Sequence, residues 1–258
     1  MLMADISNET IDHAVQLLRQ AKHVVAFTGA GISTPSGIPD FRSTESGLWN
    51  QVDPMEVASL YGFRQNPQAF YDWIRPLARL TWEAQPNAAH YALARLEAGG
   101  YLKAIITQNI DMLHTRAGNK QIFELHGHMR EMTCTHCFGL YLSDPIMTKF
   151  VEDGIVPRCP KCNGVLKPNV ILFGEQLPMR EFQGAQRAAR NCDLMIIVGS
   201  SLEVAPASDL PLMALRSGAK LIIVNLQTTP LDHDAMVIIQ ANCAEILPAI
   251  VERLESVS

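Results

Sequence analysis

The chain has 258 residues, of which 48% are hydrophobic and 18% are charged, and its net charge at neutral pH is −5. This composition is typical of a packed globular protein and argues against a disordered chain. The small negative charge provides no basic surface for nucleic-acid phosphates, so no direct nucleic-acid binding is expected. We see no secretory signal and no apolar run of membrane-spanning length, which predicts a cytoplasmic protein that does not insert into a membrane.

A helix and a buried strand are the first predicted elements. Apolar residues recur at helical spacing over residues 11–18, and a valine-rich run over residues 23–28 predicts the strand. The strand ends in Gly29-Ala30-Gly31, where backbone amides can approach a phosphate. Thr34 stands where a dinucleotide fingerprint has its third glycine, so the glycine pair alone also fits an ordinary strand-to-helix turn.

A loop and a helical region follow. Residues 33–50 are rich in proline, glycine and serine, and loops of this length in compact domains tend to be functional. Residues 54–98 are mainly helical by pattern, with Asn87 as the cap of the last helix. The next strand, residues 102–107, leads into Gln108-Asn109-Ile110-Asp111, a polar group that fits either ligand binding or the cap of a helix.

Two short apolar runs, residues 194–198 and 221–224, flank a helix predicted over residues 211–217. Strands of this kind are buried on both faces and indicate a parallel sheet, so the chain is predicted to be a doubly wound α/β protein. Gly199-Ser200-Ser201 and Asn225 follow these strands, where such sheets bind ligands, although both also suit turns and caps. The sequence has no convincing second strand that ends in an acidic residue about 20 residues after the glycines, where a dehydrogenase holds the ribose, which argues against that class.

Cysteines and histidines suggest two further sites. Two Cys-x-x-Cys pairs are separated by about 20 residues, which is the spacing of a structural four-thiolate zinc site. The pairs are Cys134 with Cys137 and Cys159 with Cys162. His126, in Glu-Leu-His-Gly, is a candidate general base near neutral pH. The residue pattern alone does not exclude His128 or His136 as zinc ligands.

Taken together, these segments resemble the sirtuin family of NAD-dependent protein deacylases, in its bacterial type. The resemblance extends in order over nearly the whole chain and includes Phe173-Gly174-Glu175. It implies a Rossmann-like NAD-binding domain, residues 1–126 and 165–258, with a helical insert at about 45–90 and a zinc module at 127–164. It further implies transfer of an acyl group from lysine to ADP-ribose, with release of nicotinamide and O-acyl-ADP-ribose. NAD is then a consumed co-substrate, and one zinc ion is structural.

The resemblance also implies residue roles. His126 and Asn109 are expected to be catalytic. The NAD site is expected to contain Gly29, Ala30, Gly31, Thr34, Phe41, Arg42, Gln108, Asn109, Ile110, Asp111, His126, Gly199, Ser200, Ser201, Asn225 and Cys243. The substrate peptide is expected to contact Val170, Ile171, Phe173, Gly174 and Val204.

Substrate choice depends on the helical insert. Relatives that prefer acidic acyl groups have a Tyr-x-x-Arg pair there, whereas Tyr71 is followed by Ile74 at that position and Arg75 is displaced by one. We therefore expect an uncharged acyl group on a protein lysine, and a monomeric enzyme. The alternatives are an ADP-ribosyltransferase or NAD hydrolase and a non-enzymatic nucleotide sensor; a dehydrogenase is a distant third.

Overall fold

The computed structural model describes residues 7–40 and 52–256 of the chain. The helices in these residues are α1 (Asn8–Gln20), α2 (Pro54–Val57), α3 (Leu60–Gln65), α4 (Pro67–Glu83), α5 (Ala88–Ala98), α6 (Leu113–Ala117), α7 (Ser143–Asp153), α8 (Met179–Asn191), α9 (Asp209–Arg216) and α10 (Cys243–Glu255). The strands are β1 (Val24–Thr28), β2 (Leu102–Thr107), β3 (Ile122–Glu124), β4 (Gly127–Cys134), β5 (Leu140–Leu142), β6 (Leu166–Val170), β7 (Leu194–Val198), β8 (Lys220–Val224) and β9 (Val237–Ile239).

The larger sheet found in these residues is parallel, with the strand order β3-β2-β1-β7-β8-β9. Helices α1, α5 and α10 contribute to the core on one face, and α8 and α9 contribute to the core on the other. Every residue of β1 and β7 is buried because both faces are covered. The predicted Rossmann-like, doubly wound fold is confirmed, with the strand order reversing beside β1.

The smaller sheet is antiparallel, with the order β5-β4-β6. Its core is shared with the helical insert, because Phe70 and Tyr71 of α4 pack in one cluster with Met132 of β4 and Phe150 of α7. The rings of Tyr71 and Phe150 meet edge to face, with centroids 4.9 Å apart. The insert and the cysteine-bearing strands therefore form one small lobe. The domain boundaries drawn from the sequence remain a prediction.

Most predicted elements are present, with differences at their ends. Asn87 accepts from Ala89 N–H as the cap of α5, and β2 and β7 have the predicted bounds. The helix predicted over residues 211–217 instead spans Asp209–Arg216, because an acidic residue is favourable in a first helical turn. No helix in the described part of the chain is long and apolar enough to cross a membrane.

Two buried histidines pack side by side below the carboxyl end of the sheet. His90 of α5 and His114 of α6 have ring centroids 4.9 Å apart, and their side chains are 0% and 3% exposed. Burial lowers the pKa of His90 to about 4. Burial, and to a smaller extent the neighbouring His90, lowers the pKa of His114 well below its usual range. Both rings are therefore neutral in the folded protein near neutral pH.

This pair predicts an acid-dependent loss of stability. Below about pH 6.5 the unfolded chain binds protons that the buried histidines do not yet accept, since the pKa of His90 is lowered to about 4 and the pKa of His114 is lowered well below its usual range. Stability therefore falls by about 1.4 kcal/mol per pH unit for each histidine. His90→Asn keeps an acceptor for the Asn87 N–H and should reduce this slope by about that amount in urea unfolding between about pH 7.5 and 5. His13→Asn, at an exposed position of α1, is the matched control. Equal slopes for the two variants would contradict the prediction.

Candidate active site

The residues that follow β1, β2, β7 and β8 meet at the carboxyl edge of the large sheet. The loops after β1 and β7 touch backbone to backbone, since Gly31 N–H donates to Gly199 O over 2.9 Å. A Cβ atom on Gly31 would lie 2.8 Å from Gly199 Cα, and one on Gly29 would lie 2.7 Å from Gly199 O. Gly199 itself has φ of +59°. Only glycine allows this approach, which places backbone rather than side chains at the floor of the site.

The half-buried amide of Asn109, the buried hydroxyl of Ser33 and the buried carboxylate of Asp111 form a cluster beside this contact. Asn109 Nδ2 donates to Gly29 O and to Ser33 Oγ, both over 3.1 Å. Ser33 Oγ in turn donates to Asp111 Oδ2 over 2.7 Å. Burial raises the pKa of Asp111, although the hydrogen bonds from Leu113 N–H and Ser33 oppose that shift. Leu113 N–H also donates to Asp111 Oδ1 over 2.9 Å, so Asp111 holds the turn before α6, although the N-cap residue of that helix is Met112 and not Asp111.

His126 is held by the backbone of the neighbouring strand. Its Nδ1 lies 2.9 Å from Gln108 O. A carbonyl oxygen only accepts, so Nδ1 carries the proton and the neutral ring has its lone pair on Nε2. Gly127 follows with φ of +76°, and a Cβ atom there would lie 2.0 Å from Asn169 O. The chain therefore turns sharply after His126 to enter β4.

Hydrogen bonds also hold the side-chain amides of Gln108 and Asn225. Gln108 Nε2 donates to Ser200 Oγ over 2.9 Å, which joins the ends of β2 and β7. Asn225 Nδ2 donates to Gln227 O over 2.8 Å. Cys243 is 5% exposed at the start of α10, and burial raises the pKa of its thiol to about 11. This thiol is thus protonated and is not a nucleophile at neutral pH.

One cavity of about 700 Å³ gathers the residues predicted from the sequence. Those predicted at the NAD site that line it are Gly29, Ala30, Gly31, Thr34, Gln108, Asn109, Ile110, Asp111, His126, Gly199, Ser200, Ser201, Asn225 and Cys243. Those predicted at the peptide site are Val170, Ile171, Phe173, Gly174 and Val204, and all of them line it too. Phe41 and Arg42 lie outside the described residues.

The segment after β6 forms one wall of the cavity and connects the two lobes. Ile171 N–H donates to His126 O over 2.8 Å. Phe173 N–H donates to Ala58 O, and Leu60 N–H donates to Phe173 O, both over 2.9 Å. The wall is therefore attached to the candidate base on one side and to the helical insert on the other.

An apolar extension of the cavity was not anticipated from the sequence. It is lined by one face of α4 together with Met129. The lining residues of α4 are Phe70, Trp73, Ile74, Leu77, Ala78 and Thr81. Their spacing of three and four residues is the same for a helix that packs on a core and for one that lines a cavity, so the pattern alone does not separate the two.

Four cysteine sulfurs form the metal-binding group of the small lobe. All four lie within 4.8 Å of one another, and the distances are 3.5 Å for Cys134–Cys162 and 3.6 Å for Cys137–Cys159. Tetrahedral zinc with Zn–S bonds of about 2.3 Å places its sulfurs about 3.8 Å apart, so this donor set fits zinc. Within the described residues neither His128 nor His136 belongs to the group. The cysteines are positioned to bind a structural zinc ion.

Comparisons with known proteins agree with this geometry. The sequence model of the Sir2 family matches residues 29–206. A relative from Archaeoglobus fulgidus, NAD-dependent protein deacylase 2, is 48% identical over 251 residues, which cover 96% of this chain and 97% of the relative.

Solved structures are also similar. A complex of a Sir2 protein with a p53 peptide and NAD⁺ has a TM-score of 0.87 at 40% identity, covering 96% of this chain and 99% of that one. The structure of Sir2Af2 bound to a myristoylated histone peptide has a TM-score of 0.84 at 41% identity, covering 97% and 98% of the two chains.

The zinc site generates a testable prediction. Cys159→Ser should release about one zinc ion per chain and lower the free energy of unfolding by more than about 2 kcal/mol, because the small lobe loses a closed metal site. Zinc content by elemental mass spectrometry and thermal unfolding measure the two effects. Cys192→Ser, a buried cysteine outside the group, is the control. Equal zinc contents in the two variants would overturn the assignment.

Proposed function

This chain belongs to the Sir2 family, and from that premise we propose that its cavity removes acyl groups from protein lysines with His126 as the general base. The protein is an NAD-dependent protein deacylase that transfers the acyl group from lysine to ADP-ribose. One observation carries the proposed residue roles: the amide cluster, His126 and the segment after β6 all line the same cavity. A dehydrogenase and a non-enzymatic sensor do not use His126.

His126 takes a proton through Nε2. The hydrogen bond to Gln108 O holds the proton on Nδ1, so the other ring nitrogen is basic and the ring orientation is set before substrate binds. With NAD bound, His126 would accept the proton of a ribose hydroxyl and so prepare that oxygen to attack the acyl carbon. In this role His126 would contact the reacting groups directly.

The cluster around Asn109 would orient the nicotinamide end of NAD. NAD, when bound, supplies the ribose carbon that takes the acyl oxygen and nicotinamide as the leaving group. Asn109, Ile110 and Asp111 would hold the carboxamide, since they combine amide and carboxylate groups in a mostly buried setting. Gly29 and Gly31 would let the phosphates lie close to the backbone beside Ser200, because they have no side chains, although their own N–H groups donate to Val198 O and Gly199 O. Thr34, Gln108, Ser201 and Asn225 complete the proposed NAD site, and Phe41 and Arg42 stay in it as sequence-based predictions.

The substrate peptide would lie along the wall formed by residues 170–174, with Val204 opposite. This segment lines the cavity next to His126, and Gly174, with φ of +86°, has no side chain to fill the groove. Recognition by backbone pairing tolerates many peptide sequences. Side chains of the peptide should therefore contribute little to specificity.

The acyl group is proposed to be uncharged. Tyr71 is fully buried, and its hydroxyl donates to Leu166 O over 2.6 Å. Arg75 donates to Val151 O and Glu152 O at the end of α7. Both side chains are thus engaged in joining parts of the small lobe. Neither lines the cavity, so neither is available to pair with an acidic acyl group.

The apolar face of α4 extends this proposal to longer acyl chains. Ile74, Leu77 and Ala78 line the cavity beside Met129, and this surface suits methylene groups at about 0.8 kcal/mol for each CH₂ buried. The similar Sir2Af2 protein has been solved with a myristoylated peptide. We propose that this chain accepts long uncharged acyl groups as well as acetyl. A cytoplasmic location and a monomeric state remain predictions.

His126→Ala tests the proposed base. Deacetylation of an acetyl-lysine peptide should fall by at least about 10²-fold, while NAD binding by calorimetry changes little, because the histidine acts on a proton and not on affinity. His128→Ala, two residues along and outside the cavity lining, is the matched control and should keep nearly full activity. A His126→Ala enzyme with normal turnover would refute the assignment.

Ala78→Leu tests the acyl-chain channel. The added methyl groups occupy space beside Ile74 and Met129, so turnover of a myristoyl-lysine peptide should fall about tenfold while acetyl turnover changes by less than about twofold. Ala69→Leu makes the same substitution on α4 outside the cavity lining and should leave both rates unchanged. If myristoyl and acetyl turnover of Ala78→Leu fell by the same factor, the acyl chain would not enter this part of the cavity.

A further inference from the structure

A row of buried polar groups lies behind the cavity and has no part in the proposed reaction. It runs from the N-terminus of α5 to the backbone of Asn109 through four side chains, each 3% exposed or less. They are His90, His114, Thr28 and Thr107. Polar groups are costly to bury unless they are hydrogen-bonded, so the direction of each hydrogen bond in this row is informative.

The threonine end of the row fixes the tautomer of His114. Thr28 Oγ1 donates to Thr107 Oγ1 over 2.8 Å, and Thr107 Oγ1 also accepts from Asn109 N–H over 3.1 Å. The Thr28 hydroxyl has a single proton, so it must accept in its 2.9 Å contact with His114 Nε2. His114 Nε2 therefore carries a proton, and Nδ1 of the neutral ring has the lone pair.

The other end of the row fixes the tautomer of His90. Asn87 N–H donates to His90 Nδ1 over 3.3 Å, so the neutral ring carries its proton on Nε2. Among the described residues, His90 Nε2 and His114 Nδ1 are both buried with no hydrogen-bond partner. The two rings are direct neighbours, with centroids 4.9 Å apart. One of these atoms is a donor and the other is an acceptor, so they are complementary.

We propose that His90 Nε2–H and His114 Nδ1 are a matched donor and acceptor across the ring contact, and that this pair makes His114 a positioning residue for Asn109. All hydrogen bonds from α5 to Thr107 then point the same way, an arrangement in which neighbouring bonds strengthen one another. The row ends on the backbone N–H of Asn109, whose side chain is held by Gly29 O and Ser33. Both the backbone and the amide of Asn109 are thereby fixed. The functional part of the inference rests on the proposed contact between Asn109 and nicotinamide.

Thr28→Val tests the positioning role, because valine has nearly the shape of threonine and cannot link His114 to Thr107. We expect the inhibition constant of nicotinamide and the KM for NAD to rise about fivefold, the effect of one buried hydrogen bond, with the KM for the acyl peptide unchanged. Thr28→Ser keeps the hydroxyl and should restore both constants to within about twofold. A Thr28→Val enzyme that melts earlier yet has unchanged constants, measured where it is folded, would reduce the row to a structural role and overturn the proposal.

A second pair of variants covers the case in which Thr28→Val does not fold. His114→Gln keeps a donor at the position of Nε2, whereas His114→Leu has none. We expect the inhibition constant of nicotinamide to stay near the wild-type value in the glutamine variant and to be about fivefold higher in the leucine variant. Equal constants in the two variants would contradict the role of His114.

Nitrogen NMR of the histidine-labelled wild-type protein tests the pairing without any turnover. Both rings should be neutral near pH 7 and protonated on Nε2, with slowly exchanging N–H protons assigned by His90→Asn and His114→Gln. A His114 ring protonated on Nδ1 would overturn the proposal whatever the activity. If instead the tautomers are as expected but the wild-type protein never consumes NAD, the paired histidines stand and the proposed function fails.

Discussion

The backbone contact between Gly31 and Gly199 is the constraint on which the rest of the site depends. A methyl group on Gly29, Gly31 or Gly199 would lie 2.8 Å or less from backbone atoms of the facing loop. The two loops follow adjacent parallel strands at the point where the strand order reverses, which is where sheets of this class bind nucleotides. Their close approach leaves room above them for the amides and hydroxyls that follow the other strands. The polar side chains of the cavity thus surround a floor that consists of glycine backbone.

The second lobe supplies the wall of the cavity along which we propose that the acyl-lysine lies. The segment after β6 is bonded to His126 on one side and to Ala58 on the other, so the position of the proposed peptide groove depends on both lobes. The small lobe has a modest core, shared by the helical insert and the cysteine-bearing strands. A closed four-thiolate metal site stabilises such a small unit without entering the reaction. Stability and substrate placement are therefore linked through this lobe.

The sequence was sufficient for the parts of the molecule that have a strong local pattern. The strand over residues 194–198 is apolar throughout because both faces are covered, and its bounds were predicted to the residue. The cysteine spacing likewise identified the metal site, although only the fold showed that His128 and His136 lie outside it. The channel along α4 was missed, because an apolar helical face has the same period whether it meets a core or a cavity. The pairing of His90 with His114 was also missed, since it joins residues 24 positions apart that carry no motif.

Product stoichiometry for the wild-type protein decides whether the acyl group passes from lysine to ADP-ribose. An acetyl-lysine peptide would be incubated with and without NAD, and every product would be quantified by mass spectrometry. Deacetylation should occur only with NAD, and free lysine peptide, nicotinamide and O-acetyl-ADP-ribose should form in equal amounts. Free acetate in place of O-acetyl-ADP-ribose, or NAD consumed at the same rate without the acylated peptide, would contradict a cavity built to pass the acyl group from lysine to ADP-ribose.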